Sequence, residues 1–217
     1  MKIEKFIHSC LLIEDGGKRL LADPGMFSFI EKKISPKDIG PVDVILLTHK
    51  HADHYYPEAL KEFCKMKATK IIANQELSDL LEKEGLKCET IKENENKEIG
   101  GFTIQAFEAP HEKLPLEVPH NLAFLVNKKM LVPGDSFSVR DLKSAEVLAL
   151  PVAGPWARLS DAIDFALQMK PKIVIPVHDG TVKEFFLDRM YKNFCAPVFE
   201  KNNIIFKPLG LGEFLGV

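Results

Sequence analysis

Apolar residues along this chain gather in short runs bounded by polar or Gly/Pro-containing segments, the pattern of buried strands. The runs are VDVILLT (42–48), TKIIA (69–73), FTIQAFEA (102–109), NLAFLV (121–126), KMLVP (129–133), EVLALPV (146–152) and KIVIPV (172–177). The opening reads as a hairpin: an apolar run containing FIHSCLLI and ending at Ile13, the turn Asp15-Gly16-Gly17, and KRLLAD returning. Asn127-Lys128 supplies a second turn, and Ser35-Pro36 marks a polar loop. Helical signals fall between the runs. Pro57 suits a first helical turn and opens a helix through about Lys65. Asn74 caps QELSDLLEKE, which Gly85 ends. A further helix runs from Ser160 to about Met169 on apolar Ala162, Ile163, Phe165, Ala166 and Leu167, and a last one starts at Thr181. The charged stretch KENENKE (92–98) reads as a solvated loop. Strands and helices alternate irregularly, which predicts a mixed α+β architecture rather than a uniform βαβ series.

Composition narrows the class. At 217 residues and 46% hydrophobic, the chain can form one large domain or two small ones, and no repeat, low-complexity tract or linker divides it. One domain over 1–217 is the expectation. The net charge is −2 with no dominant Lys/Arg cluster, which argues against nucleic-acid and membrane-surface partners. The N-terminus lacks the apolar stretch of a secretion signal, and no run approaches the ~18 apolar residues of a membrane span. A cytoplasmic protein is expected. Cys10, Cys64, Cys88 and Cys195 form no CxxC pair and read as free thiols in a reducing compartment.

One pattern carries chemistry. Four apolar runs end at a His or Asp followed by loop-type sequence: VDVILLT reaches His49, FTIQAFEAP reaches His111, KMLVPG reaches Asp135 and KIVIPV reaches His178. Side chains at strand ends are held rigidly on an accessible rim, so four such ends meeting would surround one point with imidazoles and a carboxylate. The densest stretch is THKHADH (48–54). His49 and His51 share a face in extended chain, and Asp53 and His54 follow at a turn that aims them at a neighbouring point. Such nitrogen and oxygen donors suit zinc, manganese or iron. His120 competes with His111, but His111 ends an apolar strand and His120 begins one. Asp23, in LLADPG, is placed either to accept the second N–H of a ligand imidazole or to form a turn before Pro24. Trp156 follows Gly154-Pro155 and lies in a loop, either packed in the core or at the mouth of the site.

HKHADH fits the HxHxDH signature of the metallo-β-lactamase superfamily, and His111, Asp135 in PGDS and His178 in IPVHDG follow in that superfamily's order. The chain most resembles its compact UPF0173-type metal-dependent hydrolases and L-ascorbate-6-phosphate-lactonase-like proteins, which also open with His-Ser, an apolar strand and Asp-Pro. The resemblance implies a four-layer αββα sandwich with the site at one edge of two facing sheets. It implies one ion on His49, His51 and His111, a second on Asp53, His54 and His178, and Asp135 bridging them. By the same resemblance, hydroxide from a water shared by the two divalent ions, most simply Zn2+ with Mn2+ or Fe as alternatives, attacks the substrate. Asp53 then moves the proton to the leaving group. His8 is either a satisfied strand histidine or, with Ser9 matching the lactonase-like opening, a residue of the pocket or of its support. His120 is substrate-facing or simply at the surface. The chain departs from the pattern at Ser136, where Thr is usual, and at Tyr55 and Tyr56, whose bulk would line the pocket wall and offer a phenol.

The expected activity is therefore metal-dependent hydrolysis of a small-molecule ester, lactone or phosphodiester. The alternatives are an iron-dependent redox enzyme of the same fold and an RNA-processing nuclease. The latter is disfavoured because neither a substrate-gripping arm nor a basic surface is visible. The oligomeric state is left open, a homo-oligomer included.

Overall fold

The computed structural model describes residues 1–217. The first sheet is built from β1 (Lys2–Lys5), β2 (Leu11–Asp15), β3 (Lys18–Ala22), β4 (Val44–Leu46), β5 (Lys70–Ala73) and β6 (Glu89–Thr90). The second contains β7 (Asn96–Ile99), β8 (Phe102–Glu108), β9 (Leu122–Val126), β10 (Met130–Val132), β11 (Val147–Pro151), β12 (Ile173–Val177) and β13 (Ile205–Phe206). A last strand, β14 (Phe214–Gly216), returns to pair with β1, so the orders are β14-β1-β2-β3-β4-β5-β6 and β13-β12-β11-β10-β9-β8-β7. Three helices precede β6: α1 (Pro36–Ile39), α2 (Pro57–Met66) and α3 (Gln75–Lys83). Three more, α4 (Leu159–Met169), α5 (Glu184–Met190) and α6 (Ala196–Lys201), lie in the C-terminal part.

Alternation along each strand explains the layering. In β9, Leu122, Phe124 and Val126 point between the sheets, while Ala123 and Leu125 face the helices on the other side. In β4, Val44 and Leu46 join the inter-sheet core, and Ile45 packs with Ala59, Leu60 and Phe63 of α2 and Leu77 and Leu81 of α3. Strands buried on both faces read as unbroken apolar runs, which is why their period was invisible in sequence while their existence was not. The result is the expected αββα sandwich.

Strand direction positions the chemistry. β1 and β3 both run antiparallel to β2, and β3, β4 and β5 are mutually parallel, so the C-terminal ends of β1, β3, β4 and β5 share one edge. In the second sheet β8 and β10 both oppose β9, and β10, β11 and β12 are parallel, so their ends share an edge too. The tight turns keep these directions. Gly16-Gly17 and Asn127-Lys128 all have positive φ, the two-residue hairpin geometry whose twist matches the strands it joins.

Several sequence expectations need correction. His8 is not inside a strand. The chain reverses at Ile7–Ser9, with Phe6 N–H bonded to Cys10 O at 2.9 Å and His8 at φ 64°. The run looked continuous because Phe6 and Cys10 flank the turn yet enter the same apolar cluster. Three of the seven residues of the charged stretch 92–98 belong to the edge strand β7, whose exposed polar face suits an unpaired rim. Ser35-Pro36 does not stay a loop: Ser35 and Asp38 form a capping box that starts α1. The helix expected from Thr181 begins at Glu184, because Val182 N–H turns back to Asp179 O, and a further helix, α6, follows it. β13 and β14, of two and three residues, are too short to be seen as runs. All four cysteines are free thiols.

Phe124 is fully buried between the sheets. Phe124→Ala is expected to cost about 3–5 kcal/mol of unfolding free energy, read as a lower midpoint in urea with an unchanged slope.

Candidate metal centre

The two strand edges meet. His8 follows β1, Asp23 follows β3 and His49 follows β4 on one side; His111 follows β8, Asp135 follows β10 and His178 follows β12 on the other. His51, Asp53 and His54 lie in the loop after β4, where His54 and Tyr55 N–H groups both return to His51 O at 2.9 Å. Gly25 permits this loop its position: a Cβ there would sit 1.7 Å from the Asp53 carbonyl oxygen. Two clusters result, each with its donor atoms within 4.8 Å of one another: His49, His51, His111 and Asp135; and His8, Asp53, His54 and His178.

Asp135 lies between the clusters. Its Oδ1 is 3.0 Å from His54 Nε2, and its Oδ2 is 3.3 Å from His111 Nε2, 3.3 Å from His178 Nε2 and 3.6 Å from His49 Nε2. Asn121 holds the Asp135 backbone: its Oδ1 accepts Asp135 N–H at 3.3 Å, and its Nδ2 donates to Ala109 O and Pro133 O. Gly134, at φ 62°, leaves room for that amide, since a Cβ would meet Asn121 Oδ1 at 2.0 Å.

Hydrogen bonds on the far side of each ring assign its tautomer. His111 Nδ1–H donates to Glu112 O, and His178 Nδ1–H donates to Ala153 O. His54 Nδ1–H donates to Asp23 Oδ2 at 2.8 Å. The Thr48 hydroxyl gives its proton to Asp23 Oδ2 at 2.8 Å and so accepts from His49 Nδ1–H at 3.0 Å. Four imidazoles are therefore held through Nδ1 and turn Nε2 toward one carboxylate. His51 adds Nδ1, 3.2 Å from both His49 Nε2 and His111 Nε2. His54 Nε2, His178 Nε2 and Asp135 Oδ1 are buried without a hydrogen-bond partner. Each such atom costs about 1–3 kcal/mol, and converging lone pairs repel, so the arrangement calls for positive charge between them. Imidazole and carboxylate donors with supported far-side nitrogens suit a transition-metal dication at each cluster.

Proton affinities point the same way. Burial would lower His178, but the Asp135 and Asp53 carboxylates outweigh it and push His178 up to about 9. His54 is likewise raised against its burial by Asp135 and Asp23. Burial and the neighbouring rings hold His49 well below its ordinary value. Asp135 is kept ionised despite burial by His54, His49 and His178. Asp53 is kept ionised despite burial by His178 and His8.

The structure brings together His49, His51, Asp53, His54, His111, Asp135 and His178, with Asp23 supporting His54. It separates others. His120 is exposed, and its Nε2 pairs with Glu93 at 2.7 Å, so His111 occupies the position for which the two competed. Tyr55 and Tyr56 do not line the pocket: both pack on the helix-side apolar cluster, and Tyr56 stacks with Phe29. Their place after the Asp-His pair suggested proximity, but the chain is by then turning toward α2, which starts at Pro57. Trp156 borders the site, its ring 5.8 Å from His111 and 5.3 Å from His178. Phe27, 5.1 Å from His8, and Phe137, 5.3 Å from Trp156, went unnoticed in sequence, as did Thr48 and Asn121. Thr48 and Asn121 each sit at a strand end, the one signal that could have flagged them.

A family model described as a beta-lactamase superfamily domain matches residues 2–178. The chain belongs to that superfamily. A UPF0173 metal-dependent hydrolase of Natranaerobius thermophilus is 30% identical over 193 residues, covering 83% of this chain and 84% of that protein. Igni18, a metallo hydrolase from Ignicoccus hospitalis, has the same fold, with a TM-score of 0.76 at 19% identity over 99% of this chain and 97% of that one. CmlA, a diiron β-hydroxylase from Streptomyces venezuelae, superposes with a TM-score of 0.75 at 15% identity over 100% of this chain and 54% of its own. These likenesses place the chain among metallo-β-lactamase folds, whose HxHxDH stretch is here residues 49–54.

Two outcomes are expected. Ion binding must displace the proton that His178 holds below about pH 9, so zinc affinity should rise from about pH 6 to about pH 9 and then level; competition with a chromophoric chelator measures it. Asp23→Ala should weaken zinc binding roughly 10–100-fold in the same assay, because His54 loses the acceptor that fixes its Nε2 toward the site.

Proposed function

We propose that this protein is a metal-dependent hydrolase holding two divalent cations, zinc for preference, and acting on a small-molecule ester, lactone or phosphodiester. The observation that carries this reading is the convergence of buried imidazole nitrogens on Asp135, with His54 Nε2, His178 Nε2 and Asp135 Oδ1 left without a hydrogen-bond partner. Purely structural zinc sites are closed and single. Here two adjacent donor sets share one carboxylate, and the rim stays open at His51 and at Asp53, whose side chain is 22% exposed.

His49, His51 and His111 would hold one cation, Asp53, His54 and His178 the other, with Asp135 common to both. When bound, such a pair makes water a nucleophile near neutral pH and offsets negative charge developing on the substrate. The remaining work falls to side chains. Asp23, Thr48, Glu112 O and Ala153 O hold the imidazoles in the required tautomers. Asp53 is ionised at the solvent side, placed to accept a proton and return it to the leaving group. Trp156, Phe137 and Phe27 form an apolar wall that would exclude water and receive the non-reacting part of the substrate. The Natranaerobius relative's name, metal-dependent hydrolase, agrees with this reading. The same donors accept iron, and CmlA is a diiron β-hydroxylase on this fold, so the test must separate hydrolysis from redox chemistry.

The experiment is metal quantification followed by a panel of lactone, ester, thioester and phosphodiester substrates, run on zinc-, manganese- and iron-loaded protein. Hydrolysis with redox-inactive zinc is expected, and His51→Ala should reduce it by about 100-fold or more, beyond what losing a supporting residue costs. Turnover confined to the iron form with consumption of dioxygen, or activity unchanged in His51→Ala, would overturn the proposal.

A further inference from the structure

His8 stands apart from the other histidines of the centre. It is buried, follows β1 and lies with its ring 3.9 Å from that of His178. Its Nδ1 accepts the Gly180 N–H at 3.1 Å. An amide N–H can only donate, so Nδ1 carries the lone pair and the proton of the neutral ring is on Nε2. That Nε2–H faces Asp53 Oδ2 at 3.1 Å. His49, His54, His111 and His178 are fixed the other way round, held through Nδ1–H with Nε2 turned into the centre. Proximity groups His8 with the donors of the second cluster, but its hydrogen bonds remove it from them.

We propose that His8 is a positioning residue: it donates one hydrogen bond to Asp53 and thereby aims that carboxylate into the second cation position, without itself binding a cation. This rests on the two-cation reading above. The donor is held by its own scaffold. Asp179 and Gly180 follow His178 directly, and Asp179 is clamped by Lys5 Nζ at 2.9 Å to both carboxylate oxygens and by the Tyr191 hydroxyl at 3.0 Å. Lys5 ends β1, three residues before His8, so one buried ion pair joins the β1 turn to the β12 turn. Gly180 is part of the fit: a Cβ there would lie 3.1 Å from His8 Cβ and 3.2 Å from its Nδ1. His8 adopts φ 64°, a left-handed conformation uncommon outside glycine, which turns the ring inward from the hairpin tip. Asp53, in turn, is one of the two most solvent-accessible donors of the centre. It lies in the loop after β4, and two rings reach its Oδ2: His8 Nε2–H at 3.1 Å and His178 Nε2 at 3.4 Å. His178 Nε2 also faces Asp135 Oδ2 at 3.3 Å, so His8 is the ring whose bond to the centre goes to Asp53 alone.

The test compares wild type, His8→Ala and His8→Gln, whose amide nitrogen can approach the place of Nε2–H. Zinc stoichiometry and stepwise affinity are measured by equilibrium dialysis, and imidazole nitrogens by long-range 1H–15N NMR before and after zinc loading. Wild type should bind two ions. His8→Ala should keep the first at unchanged affinity and bind the second about 10–100-fold more weakly, and His8→Gln should recover part of that loss. His8 should show a protonated Nε2 in both the free and the loaded protein. Two ions bound with equal affinity in wild type and His8→Ala, or a His8 nitrogen that shifts to the metal-bound position on loading, would overturn the assignment while leaving the two-cation centre intact. A wild type that binds fewer than two ions would contradict the centre itself and this assignment with it.

Discussion

The structure turns on the repulsion stored around the Asp135 carboxylate. Two carboxylate oxygens and the Nε2 atoms of four imidazoles crowd a region that is almost wholly buried, three of these atoms without a hydrogen-bond partner. Such an arrangement is unfavourable unless positive charge enters it, because low dielectric magnifies the cost of unpaired polar atoms. Everything nearby keeps it in place. Strand ends fix the backbone, Asp23 and Thr48 fix two rings, and carbonyl groups of Glu112 and Ala153 fix two more. A fold that collapsed these groups onto one another without such support would relieve the repulsion by turning the rings away.

The support comes from both halves of the chain. The first sheet supplies the dense loop 48–54, the second supplies its donors one strand at a time, and the αββα layering brings the two edges into register. The inter-sheet core of residues such as Phe102, Phe124 and Ile175 therefore does more than stabilise: it sets the distance across which Asp135 meets His49 and His54. Buried ion pairs add little net stability by themselves, but the Lys5–Asp179 pair joins turns from opposite sheets and so specifies geometry where apolar packing cannot. Left-handed backbone at His8, Asp23 and His178 belongs to the same economy of position. Each of these residues turns at a strand end to aim a polar group inward, a strained conformation that persists where the surroundings over-determine it.

Much of this was legible in sequence, for a definite reason. Doubly buried strands appear as apolar runs, and a run that stops at a His or Asp announces a side chain held on a sheet rim; His49, His111, Asp135 and His178 were found that way. The choice of His111 over His120 followed from the same logic, since a residue after a strand projects from its end while one before it need not. What stayed hidden depends on tertiary neighbours. The β1 turn at His8 is invisible because Phe6 and Cys10 are apolar on both sides of it. Tyr55 and Tyr56 looked like pocket residues because adjacency in sequence cannot show that the chain is already turning away toward α2. Thr48 and Asn121 serve through hydrogen bonds to groups such as Asp23, Ala109 and Pro133, and beyond their place at strand ends no local pattern marks them. Hydrogen-bond direction, which separates His8 from His49, His54, His111 and His178, exists only in three dimensions.

The central claim is that two cations flank Asp135. The direct measurement is anomalous diffraction from zinc-soaked crystals collected on either side of the zinc absorption edge. The account requires two anomalous peaks, one within bonding reach of His49, His51 and His111 and one of Asp53, His54 and His178, with Asp135 between them. A map with no peak at these rings, or with a single peak and the second donor set turned away from Asp135, would contradict it.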